Sequence, residues 1–152
     1  MSKVYDKHIY FERNLCMILS DDFKKIAQLP RTVIGDVLRA EANIIASAQR
    51  KTAEAMKVRD TGEMIRSITV GPHYYGKGKH GILIEFKGGR TRSGSYTPNT
   101  EIAFWNEYGV MRGGYNLHRY RPFVRTANEQ KAGEAERAAY DIYDKYLREH
   151  DL

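Results

Sequence analysis

Cysteine is nearly missing from this chain. Cys16 is the only one in 152 residues, so no internal disulfide can hold the fold and no oxidising compartment is needed to make it. Long apolar runs are missing too. The longest, Leu15 to Leu19, is far short of a membrane span, and Lys3, Asp6 and Lys7 occupy the place of an apolar signal core. Folding in a cytoplasm, with no membrane partner, is the expectation.

Catalytic constellations are equally scarce. The five histidines, His8, His73, His80, His118 and His150, form no HExxH and no close pair at metal-ligand spacing. No serine sits in a GxSxG elbow, and Cys16 has no identifiable base partner. Asp21 and Asp22 are adjacent, so on a helix they diverge, and a place in a first turn accounts for them. The run from Gly71 to Gly78 nearly spells a phosphate-binding loop, but Gly78 stands where a magnesium-binding hydroxyl belongs. A strand-like GILIEF follows instead of the required helix. Gly76 to Gly81 fits GxGxxG and fails the same test; a basic hairpin turn is the better reading. Neither an enzyme nor a bound cofactor or metal is expected.

What is present is a single-domain composition with 41% hydrophobic and 29% charged residues, a net charge of +6 and eleven tyrosines. The positive surplus suits a polyanion or a protein working near packaged DNA, and tyrosine suits interfaces. Residues 1–19 show no clean period and read as an arm or irregular extension. Ser20-Asp21-Asp22 resembles a helix start, with Phe23, Ile26 and Ala27 following before Pro30. From Val33 to about Lys57, Ile34, Val37, Leu38, Ile45, Ala48, Ala55 and Met56 recur at spacings of three, four and seven. That predicts a long amphipathic helix whose outer face carries Arg39, Gln49, Arg50 and Lys57.

A turn of helix is expected at Glu63 to Arg66, then strands at Ser67 to Val70, Gly81 to Phe86 and Ile102 to Tyr108, with Gly71-Pro72 ending the first. Between the last two strands, residues 87–100 hold three cations (Lys87, Arg90 and Arg92), Tyr96 and no acid. A connection this long reads as a flexible loop that orders on a neighbouring subunit or on DNA. Pro122 suits the first turn of a last helix reaching about Arg148, with Ala135, Ala138, Ala139, Ile142 and Tyr146 as its stripe. The fold class predicted is α+β: a small antiparallel sheet, a long helix in the first half, a C-terminal helix and an extended basic loop between strands.

Three segments follow one another in an informative order. Thr61-Gly62-Glu-Met-Ile-Arg66-Ser67-Ile68 comes first, Ala103-Phe-Trp105-Asn-Glu107-Tyr108-Gly109 second, and Arg121-Pro122-Phe123-Val-Arg125-Thr-Ala127 third. Together they resemble the tail-component family of long-tailed phages and prophages, similar to the head–tail joining or tail-completion proteins of lambda-like siphophages. The likeness covers roughly Ile26 to Leu147. Thr126 stands where a second proline is usual, the basic loop is longer, and the N-terminal segment has no counterpart.

Each segment also has a physical sense of its own. Thr61 can cap the short helix, Gly62 permits a sharp start to it, and Ile68 places the first strand on the core. Gly109 allows the chain to end the third strand, and Pro122 with Phe123 anchors the last helix. The resemblance implies a virion structural protein: a homo-oligomer, monomeric when free and hexameric as a ring, meeting the tail tube and the neck or portal. Assembly in the bacterial host cytoplasm and non-specific contact with packaged DNA go with it. The competing readings are a basic nucleic-acid-binding protein and another neck or minor tail structural protein, such as a neck stopper.

Overall fold

The structure, a computed structural model, describes residues 29–58, 62–77, 79–112 and 115–151. The arm at 1–19, the helix expected after Ser20 and the cap expected from Thr61 lie outside them. Helix α1 spans Arg31–Ala55, directly after Pro30, whose carbonyl accepts from the Ile34 amide at 3.1 Å. Its buried face (Ile34, Val37, Leu38, Ile45, Ala48 and others) follows the expected helical spacing. Gln49, expected on the outer face, is instead fully buried. Its Nε2 donates to Asn128 Oδ1 of the C-terminal helix at 3.0 Å. Arg50 is half-buried and donates from Nε (3.2 Å) and Nη2 (2.5 Å) to the Ile68 carbonyl, tying α1 to the first strand. Arg39 and Lys57 are exposed as expected.

Helix α2, Glu63–Arg66, starts at Gly62, which takes the left-handed conformation (φ 74°) that side chains resist. Strand β1 (Ile68–Gly76) pairs antiparallel with β2 (Lys79–Phe86). Both are longer than expected, because Gly71-Pro72 does not end β1. The register runs from Ile68↔Phe86 to Val70↔Ile84, shifts, and resumes at His73↔Ile82. A bulge absorbs the proline, which has no N–H to give to a ladder.

The basic stretch is not a flexible loop. Gly89–Arg92 (β3) and Ser95–Pro98 (β4) form an antiparallel hairpin. Its two-residue turn, Ser93-Gly94, has φ of 50° and 78°, the positive pair that matches strand twist and closes tight hairpins. Nor is the third expected strand a strand: Asn99–Tyr108 is helix α3. Its start is bound to the end of β2. The Asn99 amide donates to Gly88 O (2.9 Å), Asn99 Nδ2 to Lys87 O (2.8 Å) and Thr100 Oγ1 to Phe86 O (3.1 Å). Ile102, Ala103, Asn106 and Glu107 are then buried together at helical spacing, while Phe104 and Tyr108 stack on the exposed side.

Gly109, with φ 70° and ψ 162°, ends a helix rather than a strand and makes the turn that an L side chain resists. A short hairpin of β5 (Val110–Arg112) and β6 (Tyr115–His118) leads to helix α4, Phe123–Glu149. Pro122 precedes its first residue instead of lying in the first turn. Ala135 and Ala139 are buried, whereas Ala138, Ile142 and Tyr146 are only half-buried, so the stripe fades toward the C-terminal end.

Gln49 bonds Asn128, and Glu41 feels the charge of Glu136. Equal steps in opposite directions mean that α1 and α4 run antiparallel. The core gathers α1, β2 and α4 around Ile68, Ile82 and Phe123, with Met64, Ile65 and Ile102 beside them. The class is α+β, with long helices flanking small antiparallel sheets.

Candidate functional site

The second and third motif segments meet at one junction. Glu107, at the end of α3, accepts the amides of Val124 (Oε2, 2.9 Å) and Arg125 (Oε1, 3.0 Å) at the start of α4. The first amides of a helix have no acceptor inside it, so a carboxylate there completes them and complements the dipole. Burial pushes the Glu107 carboxyl above the usual carboxylate range, against the opposing pull of those two amides and of Arg125. Alongside, the Arg121 amide donates to Asn106 O at 2.7 Å. Phe123 is fully buried and meets Phe86 edge-on at 6.1 Å, and Trp105 packs against the same core half-buried. Thus Glu107, Arg121, Pro122 and Phe123 form a clasp between α3 and α4. Replacing Glu107 by alanine should destabilise the fold by about 2 kcal/mol in denaturant titration, and by glutamine about half as much.

Of the four residues expected to face a partner, Arg90, Arg92 and Tyr96 lie on the β3–β4 hairpin and Lys87 just before it. Strand alternation sets Arg90 and Arg92 on one face and Tyr96 on the other, paired with Thr91 and diagonal to Gly89. The Tyr96 ring lies where a Cβ on Gly89 would fall (2.7 Å), so this glycine makes room for it. Tyr96 remains 59% exposed, and Lys87 reaches Glu85 at 3.8 Å in an exposed pair. Apart from its own ladder, the hairpin packs chiefly against α3 among the described elements. A two-stranded hairpin with so little support presents open edges to a partner strand.

A second cluster was not legible in sequence. His73 and His80 lie on the two strands of one hairpin, and the β1–β2 pairing sets His73 Nε2 2.9 Å from His80 Nδ1. Tyr75 leans on His80 (centroids 4.6 Å), and the Arg31 guanidinium sits 4.1 Å over the Tyr75 ring. His73 also fills the space beside Gly35 of α1, where a Cβ would come within 3.0 Å of Nδ1. Desolvation, then His73 and Arg31, hold His80 below the ordinary histidine value. The near P-loop spans this same hairpin: a strand and a turn, with β2 following it.

Among the described residues no group of three or more histidine, cysteine, aspartate or glutamate side chains could hold a metal, and no helix is long and apolar enough to cross a membrane. Compared with family models, curated proteins and solved structures, the chain matches none.

Proposed function

We propose that this chain is a phage or prophage structural subunit that completes the tail and joins it to the head, assembling as a ring where tail meets neck. The observation that carries the reading is the Glu107 clasp. Glu-Tyr-Gly and Arg-Pro-Phe are separated in sequence, and the clasp joins them in this chain: one segment caps the helix that the other opens.

The β3–β4 hairpin supports the assembly part. A ring requires one patch to bind a different patch on the next subunit. Open strand edges with a tyrosine and two arginines provide such a patch, by strand addition or by polar contact. The function needs no catalytic group, cofactor or metal. Quantitative mass spectrometry of purified particles tests the reading: the chain should be a constant minor virion component, at a ring's copy number relative to the portal. Its absence from intact particles would reject it.

A further inference from the structure

We propose that the tip of the β1–β2 hairpin, together with Arg31 of α1, is a docking surface for the phosphate backbone of duplex DNA. The run from Pro72 to His80 contains two lysines, two histidines, two tyrosines and no acid. Lys77 and Lys79 are exposed, and Tyr74 and Tyr75 are 37% and 48% exposed. The first acid along β2 is Glu85, which is paired with Lys87. The tip is therefore cationic without an internal counter-charge, and this is what a polyanion needs from a partner.

Its geometry is fixed. Strand alternation sets Tyr74 and Lys79 on the outer side and His73, Tyr75 and His80 on the side of α1. Tyr74 lies over Gly81, where a Cβ would come within 2.3 Å of its ring, so only glycine there lets the ring lie flat on the strand. Arg31 is held over Tyr75, itself braced by His80, and keeps its guanidinium edge for an anion. Cations thus lie on both sides of the hairpin end. Point charges beside two exposed tyrosines position a backbone and read no bases, so binding is independent of sequence. This surface is distinct from Arg90 and Arg92 and does not depend on the head–tail reading.

The test is fluorescence anisotropy of the full chain with a labelled duplex of about 20 base pairs, titrated between about 50 and about 200 mM salt. The Lys77→Glu/Lys79→Glu variant should lose about 1.8 from the slope of log affinity against log salt, so its affinity falls about tenfold less across that range than the parent's. Lys77→Gln/Lys79→Gln, with an unchanged melting curve, should show the same loss of slope. Arg90→Glu/Arg92→Glu should keep the parent's slope. Absence of salt-dependent binding by the parent overturns the proposal. So does an unchanged slope in both tip variants, or a loss confined to the Arg90/Arg92 variant.

Discussion

Phe123→Ala is expected to remove about 4 kcal/mol of stability and to lower the melting temperature by roughly 12 °C. The ring is 0% exposed and closes edge-on against Phe86. Truncation forfeits its burial and opens a cavity that β2 and α4 cannot collapse into, because both are fixed by the strand ladder and the Glu107 clasp. Phe104 provides the contrast. It is 47% exposed and touches Tyr108 on the outer side of α3, so Phe104→Ala should shift stability by less than about 0.5 kcal/mol. Thermal unfolding of the two alanine variants side by side checks both values. Equal effects would mean that the Arg-Pro-Phe segment does not anchor the fold.

The second large effect is a gain. Glu41 on α1 is 5% exposed, and its Oε1 has no hydrogen-bond partner. Burial, with the nearby charge of Glu136 adding to it, pushes its carboxyl up to about 7 from an ordinary 4.5. The folded state therefore holds a proton that the unfolded chain has released. The sign follows: this group costs nothing below pH 4.5, its cost grows as pH rises toward about 7, and above that the cost is full, on the order of 3 kcal/mol. Glu41→Gln removes the charge but leaves a polar group imperfectly satisfied, so a net gain of about 2 kcal/mol is expected at pH 8 and none at pH 4.5. Urea titrations of the parent and the variant at both values measure it. A gain independent of pH would point to altered side-chain contacts rather than to ionisation.

The long helices and the β1–β2 pair were legible because their patterns repeat. Ile34, Val37, Leu38 and Ile45 state one face of α1 several times over, and Ile82, Ile84 and Phe86 alternate cleanly. Ile102 to Tyr108 was misread because its apolar and aromatic residues suit a strand locally, and one short segment offers too few turns to show its period. What decides for helix lies outside it: the carbonyls of Phe86, Lys87 and Gly88 that receive Asn99 and Thr100, and the helix start that Glu107 caps. The hairpin at 89–98 was hidden similarly. Ser93-Gly94 is a weaker turn signal than Asn-Gly, and glycine and arginine are not strand-forming residues.

The basic stretch is an ordered hairpin that sets Arg90 and Arg92 on one face and Tyr96 on the other, with Lys87 just before it. The histidine pair is hidden by the expectation that Gly71-Pro72 ends β1, whereas the strand continues past His73 to a tight turn that brings His80 alongside. Gln49's polarity argues for an outward position, and its hydrogen bond to Asn128 across the α1–α4 contact accounts for its burial.

Head–tail joining is tested most directly by electron microscopy of a lysate from a phage in which this gene alone is deleted. The account predicts DNA-filled heads without tails lying beside finished, unattached tails, with joining restored when the purified protein is added. Normal joined particles in the deletion, or heads empty of DNA with no finished tails, would contradict it.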